Sequence, residues 1–408
     1  MTSQDGTALS WRTPLVVILF AGLILSFNMG IRQTFGLFIA PMNEDIGISV
    51  SSFSLAIAFQ NLLWGLVTPF AAAFADRYGT GRVLVAGSLF YGAGIAMMVL
   101  LPNAFGVHLG AGLLVGLGVG SCGFPMVLGA VARLTPESYR SAALGFASAG
   151  GSAGQFVLLP VTQELILGLD WQGALLVLMG LAFLIVPLAA ALTGKASTAQ
   201  GPGPASLKAA VSEAGLNPSY RLLTVGFFVC GFHVAFVATH LPGYILSCNL
   251  SGRVGATALG LIGFFNIIGG LSAGLLGGKF SKKYLLAGIY TGRAIAIALF
   301  ILGPKEEWAV FTFSAVFGLF WLSTIPLTSG LVGQIFGARY MATLFGLVML
   351  SHQVGAFLGA SLGGLSYDLL GSYEPVWWFS VALGLFSAAV HLPIRERPLE
   401  RQPLPQGS

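Results

Sequence analysis

The chain has 408 residues, of which 56% are hydrophobic and 8% are charged. This composition is typical of an integral membrane protein and excludes a soluble globular domain. The formal net charge of +5 comes from basic residues scattered over short loops, so nucleic acid is not a predicted partner. Cys122, Cys230 and Cys248 form no even set, and no metal site or cofactor is expected.

In chain order, twelve apolar segments are each long enough to cross ~30 Å of hydrocarbon. We number them spans 1 to 12, at residues 14–40, 52–73, 83–101, 105–131, 141–166, 172–193, 222–246, 255–278, 284–303, 308–336, 341–366 and 375–393. The sequence therefore predicts an all-α membrane protein with twelve transmembrane helices.

One connection is longer than the others and is rich in glycine and proline, which predicts a linker. The predicted organisation is an N-terminal six-helix half (1–193), a cytoplasmic linker (194–220) and a C-terminal six-helix half with a short cytoplasmic tail (221–408). Within the linker, the stretch SLKAAVSEAG predicts a short surface helix.

The distribution of basic residues predicts the orientation. With the N-terminus inside, the inner segments hold most of them, including Arg77, Arg82 and Lys282, whereas the outer loops hold only Arg253 and Lys305. Both termini are therefore predicted to be cytoplasmic. The predicted location is the plasma membrane of a bacterium (its inner membrane), with a monomer in the lipid bilayer.

The two halves repeat one another. Gly145 and Gly154 in span 5 match Gly346 and Gly355 in span 11 at a constant offset, since 346 − 145 and 355 − 154 are both 201. In addition, Asn61 in span 2 aligns with Asn266 in span 8. Repeated six-span halves with a site at their interface are typical of transporters that work by alternating access.

Span 1 carries an arginine at membrane depth. Placing Arg32 there costs at least ~2.5 kcal/mol, so such a residue usually faces a water-filled cavity and meets a ligand or counter-charge. Asn28 lies four residues before it and Gly36 four after it, on one helical stripe. We interpret this stripe as lining a substrate path. The alternative is an arginine that reaches the outer headgroups.

The loop after span 2 adds a resemblance. Ala75-Asp76-Arg77-Tyr78-Gly79 followed by Arg82 resembles the signature loop of the major facilitator superfamily, and the resemblance extends over essentially the whole chain. It implies the fold of that superfamily and assigns a conformational latch to Asp76 and Arg77. The second-half copy, Ser281-Lys282-Lys283, has no acid. A polar turn that simply ends a helix is the alternative.

Spans 10 and 11 resemble the monocarboxylate-porter-like group of that superfamily, of a bacterial type. The similarity runs from Phe317-Gly318 through Trp321-Leu322-Ser323 to Gly371-Ser372-Tyr373. That group commonly has an Asp-x-x-x-Arg pair in span 8, where this chain has Asn266 and Gly270. The resemblance implies a monocarboxylate substrate, which this chain would bind without an arginine at that position of span 8.

The charges inside the spans carry the chemical prediction. No acid lies near a span centre, whereas Arg32 and Arg293 are cationic there. A guanidinium without a carboxylate partner needs an anion or carbonyls, and its fork binds a carboxylate well. We therefore predict a small organic anion, most simply a monocarboxylate, as substrate. The predicted substrate-binding residues are Asn28, Arg32, His233, Thr324, His352 and Gln353.

Proton coupling is assigned to histidine, the side chain that changes charge near neutral pH. His352 is the first candidate for a symported proton and His233 the second, while packing of these histidines in the core remains the alternative. Arg293 is predicted to be structural, tied to span 8 or 11. Pro326 is predicted to break span 10 and free carbonyls for a cavity.

Two other classes of function have weaker support in the sequence. A glycine pattern in span 11 resembles one that drug/proton antiporters carry in span 5, so proton-coupled efflux of hydrophobic or drug-like compounds is the alternative function. An enzyme is not predicted and no residue is assigned as catalytic, because no phosphate loop, HExxH motif or Ser-His-Asp set can be assembled from this sequence.

Overall fold

The computed structural model describes residues 12–136, 140–193, 207–337 and 341–399. Among these residues, ten helices are long and apolar enough to cross a membrane. One of the ten, Ala143–Leu192, contains 50 residues and therefore holds two spans. The helix Glu374–His391, with 18 residues, provides span 12. The fold is the predicted one, with twelve transmembrane helices in two six-helix repeats.

The helices of the first repeat follow the predicted spans closely. They are Pro14–Thr34, Phe35–Phe38 and Ile39–Ile46 in span 1; Val50–Tyr78 in span 2; Thr80–Leu100 in span 3; Ala104–Val107, His108–Leu114, Val115–Ser121 and Phe124–Leu134 in span 4; Arg140–Phe183 through spans 5 and 6; and Ile185–Ala189 and Ala190–Leu192 at the end of span 6.

The second repeat is preceded by the helix Leu207–Leu216, which confirms the short helix predicted in the linker. Its helices are Pro218–Ser247 in span 7, Gly252–Gly277 in span 8, Lys282–Leu302 in span 9, Glu307–Phe320 and Thr324–Phe336 in span 10, Met341–Leu370 in span 11 and Glu374–His391 in span 12.

Local chemistry sets several of the helix boundaries. The side chains of Ser49 and Asn217 accept hydrogen bonds from backbone N–H groups in the first turns of spans 2 and 7, at 3.1 and 3.2 Å. Between spans 5 and 6, Asp170 has φ of 60°, and its carboxylate accepts a hydrogen bond of 2.9 Å from the Gly173 N–H. This positive φ ends one helix, and the cap begins the next.

The repeat is visible in the packing. Span 5 crosses span 1 so closely that a Cβ at Gly154 would collide with the carbonyl oxygen of Ser26, and a Cβ at Gly355 would collide in the same way with the carbonyl oxygen of Phe228. Small residues allow helix backbones to approach at such crossings. The glycines paired in the sequence thus occupy equivalent crossings, one in each repeat.

The two repeats meet at the end of the bundle that lies far from the chain termini. At this far end, Arg253 donates to the Glu164 carboxylate at 2.5 and 2.9 Å. The Ser51 N–H donates to Asp368 Oδ2 at 2.9 Å. These bonds join span 8 to span 5 and span 2 to span 11, so the far end is closed.

Toward the end that carries the termini, spans 5 and 8 move apart. A Cβ at Gly263 in span 8 would lie 3.0 Å from Gln155 in span 5, but Cβ atoms at Gly270, Gly274 and Gly145 would have nothing within 4 Å. These glycines continue the stripe on which spans 5 and 8 touch. Within the residues that the structure describes, spans 5 and 8 are therefore splayed at the terminal end.

Candidate functional site

Arg32 lies on span 1, close to where the α-helix tightens into the 3₁₀ turn Phe35–Phe38. Its guanidinium is part-buried. Nη1 donates to Gln33 Oε1 at 3.1 Å, and Nη2 donates to Asn61 Oδ1 on span 2. The indole of Trp64, also on span 2, lies under the guanidinium with 4.6 Å from Cζ to the ring centroid. This cation is thus held by two amide oxygens, one on each terminal nitrogen of the guanidinium, and by the face of the Trp64 ring.

The partners of Arg32 carry no negative charge. Its recorded hydrogen-bond acceptors are neutral amide oxygens, and Nε has no hydrogen-bond partner in the described part of the chain. The Asn61 side chain is itself fixed, because Nδ2 donates to the Ile57 carbonyl at 2.8 Å. A guanidinium held by neutral oxygens keeps its full positive charge, and carboxylate hydrogen bonds to it would be stronger than these.

A small cavity lies beside this guanidinium, between spans 1, 2 and 7. Its volume is about 10 Å³, and its lining is Arg32, Gln33, Phe35, Gly36, Ile57, Gln60, Asn61, Ala235, Ala238 and Thr239. That is about the room one water molecule requires. A Cβ at Gly36 would lie 2.6 Å from the Ala238 carbonyl oxygen, so spans 1 and 7 close the cavity on the far-end side.

Asn28, predicted as a helper of Arg32, has its contacts elsewhere. Its Nδ2 donates to the Val119 carbonyl in span 4 at 3.4 Å, and its backbone carbonyl accepts from the Tyr91 hydroxyl of span 3 at 3.1 Å. Asn28 is completely buried. Its recorded hydrogen bonds therefore tie span 1 to spans 3 and 4, and its role in binding stays a prediction.

Gln353 and His352 are neighbours in span 11 but lie in different surroundings. Gln353 packs against span 2, where a Cβ at Gly65 would lie 2.7 Å from Gln353 Cγ, so it is next to the Trp64 turn. His352 lies beside Cys230, and its ring packs against the Phe227 ring with 5.1 Å between centroids and a tilt of 40°. Neither ring nitrogen of His352 has a hydrogen-bond partner within the described ranges.

His233 lies deeper in the second repeat. Its Nε2 donates to the Ser380 carbonyl in span 12 at 2.8 Å, and the ring is completely buried. His240 makes the same kind of bond to the Ala360 carbonyl at 2.7 Å. Each histidine thus satisfies one nitrogen on the backbone of a neighbouring span, as helix-packing residues do.

The second intramembrane arginine holds a broken helix. Span 10 is interrupted between Glu307–Phe320 and Thr324–Phe336, and Arg293 of span 9 donates into this gap. Nε and Nη2 donate to the Phe320 carbonyl at 3.1 and 2.6 Å, and Nη2 also reaches the Trp321 carbonyl. A cation at the C-terminal end of a helix segment is favourable. The predicted partners, spans 8 and 11, are not the ones observed.

Thr324 belongs to this same break. It is the first residue of the second helical segment of span 10, is completely buried, and lies 3.2 Å from Cys230 Sγ through Oγ1. Arg293 Nη2 lies 3.5 Å from the same sulfur. Thr324, Cys230, Arg293 and His352 therefore form one buried cluster, which we call the span 10 cluster, separate from the Arg32 cavity.

The predicted latch is only partly visible. The Asp76 side chain lies outside the part of the chain that the structure describes. Arg77 is exposed and stacks over the Tyr78 ring at 5.3 Å. In the second repeat, the equivalent loop at Ser281–Lys283 contains no acid, but Glu396 of the C-terminal tail contacts it. Glu396 Oε1 accepts hydrogen bonds from Ser281 Oγ at 3.0 Å and from the Lys283 N–H at 2.6 Å.

Sequence reasoning missed several residues around Arg32. Gln33, Gln60, Trp64 and Thr239 border the guanidinium or its cavity, together with Asn61, for which the sequence left a ligand role and helix packing equally open. A signal existed for two of them, because Asn61 and Trp64 are three residues apart and share one face of span 2. The contribution of span 7 depends on packing between the repeats, which periodicity in a single span does not indicate.

Two six-helix repeats packed against each other, with an arginine at membrane depth near their interface, are an arrangement typical of membrane transport proteins. The model of the Major Facilitator Superfamily matches residues 18–359, so the chain belongs to this superfamily. It is a multi-pass secondary transporter of that type.

Relatives and solved structures agree with this assignment. The chain is 25% identical to the uncharacterized MFS-type transporter YcxA of Bacillus subtilis, over 94% of this chain and 95% of that protein. It is 24% identical to human monocarboxylate transporter 11, over 92% and 82%. A mutant of the nucleoside transporter NupG superposes with a TM-score of 0.77 at 11% identity, covering 93% and 99% of the two chains. The D-xylose-proton symporter gives 0.70 at 15%, covering 95% and 99%.

Proposed function

We propose that this transporter moves a small organic anion, most simply a monocarboxylate, and that Arg32 binds the carboxylate. The observation that carries the proposal is the neutral coordination of Arg32. Gln33 and Asn61 each place an amide oxygen on one terminal nitrogen. A carboxylate presents two oxygens to the same fork, with charge-assisted bonds about twice as strong as neutral ones. The amide oxygens thus act as placeholders that the substrate displaces.

The surroundings of Arg32 suit this exchange. Trp64 shields one face of the guanidinium, and Gln60 and Thr239 supply neutral polar groups at the cavity wall. Gln60 Oε1 has no hydrogen-bond partner among the described residues. A neutral polar wall around one cation selects a singly charged anion, because a second negative charge would have no counter-charge there.

Access comes from the splayed end. The cavity beside Arg32 is too small for a substrate in this conformation, and, among the described residues, spans 5 and 8 separate toward the termini. With both termini cytoplasmic, as the basic residues indicate, this conformation faces inward. A rocking motion that parts spans 5 and 8 at Glu164 and Arg253 would expose Arg32 to the other side. The Asp76 loop is proposed as the latch of that alternative state.

A proton accompanies the anion in this proposal, with His352 as its carrier. His352 supports this role because neither ring nitrogen is bonded to a backbone carbonyl within the described ranges and its polar neighbour is the Cys230 thiol, whereas His233 already donates to a backbone carbonyl. A proton that travels with the anion removes the net charge of the load, which lowers the cost of moving it. The monocarboxylate transporters among the relatives support the substrate class, and the named symporter among the structures supports coupling only as a precedent.

Uptake of radiolabelled monocarboxylates by proteoliposomes tests the proposal. Arg32→Lys keeps the charge but loses the fork, so uptake should fall by about 100-fold, and Arg32→Gln should abolish it. Arg221→Lys is the matched control, because Arg221 is exposed near the linker and donates to the Gly215 carbonyl. Full uptake in both Arg32 variants would remove the substrate proposal. Uptake that rises as the outside is acidified, with a flattened response in His352→Gln, would support the proton.

A further inference from the structure

Asn266 uses both atoms of its side-chain amide, and the two bonds lead to different spans. Nδ2 donates to Ser152 Oγ on span 5 at 3.0 Å, and Oδ1 accepts from the Leu322 N–H at 3.0 Å. Ser152 belongs to the first repeat and Leu322 to the second. Asn266, on span 8, therefore links the interface between the repeats to the interruption in span 10.

The bond from the Leu322 N–H to Asn266 Oδ1 involves a backbone group in the interruption of span 10, outside both helical segments. Leu322 lies between the two helical segments of span 10, where peptide groups need other hydrogen-bond partners. Arg293 satisfies the carbonyls of this gap and Asn266 satisfies an N–H. A Cβ at Gly269 would collide with the Leu319 carbonyl oxygen, so span 8 is also packed directly on the gap.

The first bond lies where spans 5 and 8 begin to part. One turn toward the far end, a Cβ at Gly263 would lie 3.0 Å from Gln155, and one turn toward the termini, a Cβ at Gly270 would meet no described residue within 4 Å. Among the described contacts on this stripe, the Ser152–Asn266 bond is thus the last before the splay. Any rocking of the repeats changes the separation of spans 5 and 8 around this level.

The aligned residue of the first repeat works differently. Asn61 bonds Arg32 and its own helix, and its recorded hydrogen bonds do not reach the other repeat. The same residue type at aligned positions is thus used for the charged site in one repeat and for a link between repeats in the other. Both amide atoms of Asn266 thus take part in links between helices.

We propose that Asn266 is a positioning residue that couples the contact between spans 5 and 8 to the geometry of the span 10 gap. When span 5 moves, it pulls on the Asn266 amide, and the same amide holds the Leu322 N–H. The state of the interface between the repeats therefore sets how tightly the gap is held. This inference rests on the transporter fold and the hydrogen bonds, and it is independent of the identity of the substrate.

Hydrogen–deuterium exchange on the reconstituted full chain tests the coupling without any ligand. Ser152→Ala removes only the span 5 side of the link, and Ser148→Ala, one turn nearer the termini on the same stripe, is the matched control. Exchange of peptides that contain Leu322 should be about fivefold faster in Ser152→Ala, the equivalent of about 1 kcal/mol for one hydrogen bond, and unchanged in Ser148→Ala. Asn266→Leu should give the fastest exchange.

A second readout separates coupling from local structure. Spin labels at the exposed positions Phe146 and Leu275, 73% and 74% accessible near the terminal mouth, report the separation of spans 5 and 8. Their distance distribution should change in Ser152→Ala and stay the same in Ser148→Ala. The proposal is overturned if exchange at Leu322 rises in Asn266→Leu while Ser152→Ala matches the wild type in both measurements, because Asn266 would then only cap the gap in span 10.

Discussion

Arg32 and Arg293 are both arginines at membrane depth, but the structure treats them in opposite ways. Arg293 is completely buried, and its guanidinium is directed onto backbone carbonyls of span 10 that would otherwise lack donors. Arg32 is part-buried beside a cavity and is held by two side-chain amide oxygens instead of backbone carbonyls. Arg293 bonds the backbone of span 10, whereas Arg32 is proposed to exchange its side-chain partners for a ligand. A buried arginine without an acid is therefore a functional signal only when its partners are exchangeable.

The largest effect on stability is expected at Arg293, and it tests whether the two arginines differ. Arg293→Met leaves the carbonyls of Phe320 and Trp321 buried without donors, and it should lower the free energy of unfolding by about 3 kcal/mol. Thermal unfolding of the detergent-purified protein measures the loss. The same change at the other arginine, Arg32→Met, is the control and should cost less than about 1 kcal/mol. Equal destabilisation by the two variants would mean that both arginines are structural.

A second prediction concerns Asn61, whose amide oxygen we propose the substrate displaces from Arg32. Asn61→Asp puts a resident carboxylate on Arg32, where it competes with the anionic substrate, so the affinity for the substrate should fall by about tenfold or more. Asn61→Ala removes the amide without adding charge and should weaken binding far less. Binding measured by thermal shift separates the two variants. An Asp variant that binds as tightly as the Ala variant would argue against displacement at Arg32.

The smallest effect concerns the tail that supplies the acid missing from the second-half loop. Glu396→Gln keeps the size of the side chain but weakens its bonds to Ser281 Oγ and the Lys283 N–H. The free energy of unfolding should fall by about 1 kcal/mol, because a charged cap at the start of span 9 is lost. Thermal unfolding measures it. Glu307→Gln, at the start of span 10, is a comparison variant at another helix start, and an unchanged midpoint in Glu396→Gln would exclude a capping role.

Much of the fold could be predicted from the sequence, because span length and apolar composition are direct consequences of the thickness of the bilayer. The break in span 10 was also predicted, but at Pro326. It lies instead between Phe320 and Thr324, since proline is tolerated in the first turn of the helical segment that follows. A proline therefore indicates that a break is near without fixing its residue.

The site was less predictable. Arg32 stands out because an intramembrane charge is costly, and this is visible in one dimension. Its partners Asn61 and Trp64 come from span 2, and Thr239 of span 7 lines the cavity beside it, so these neighbours depend on how helices pack. The bonds of Asn28 to spans 3 and 4 illustrate the same limit. Residues four apart on one helix share a stripe, but neighbouring helices decide what each of them contacts.

The measurement that tests the central claim most directly is a comparison of a monocarboxylate with its neutral amide as ligands of the purified protein. Thermal shift titrations of the wild type and of Arg32→Lys measure both affinities. If Arg32 is the carboxylate-binding residue, the wild type should bind the carboxylate and not the amide, and Arg32→Lys should lose at least tenfold in affinity for the carboxylate. Equal affinity for the acid and the amide, or unchanged binding of the acid by Arg32→Lys, would contradict the account.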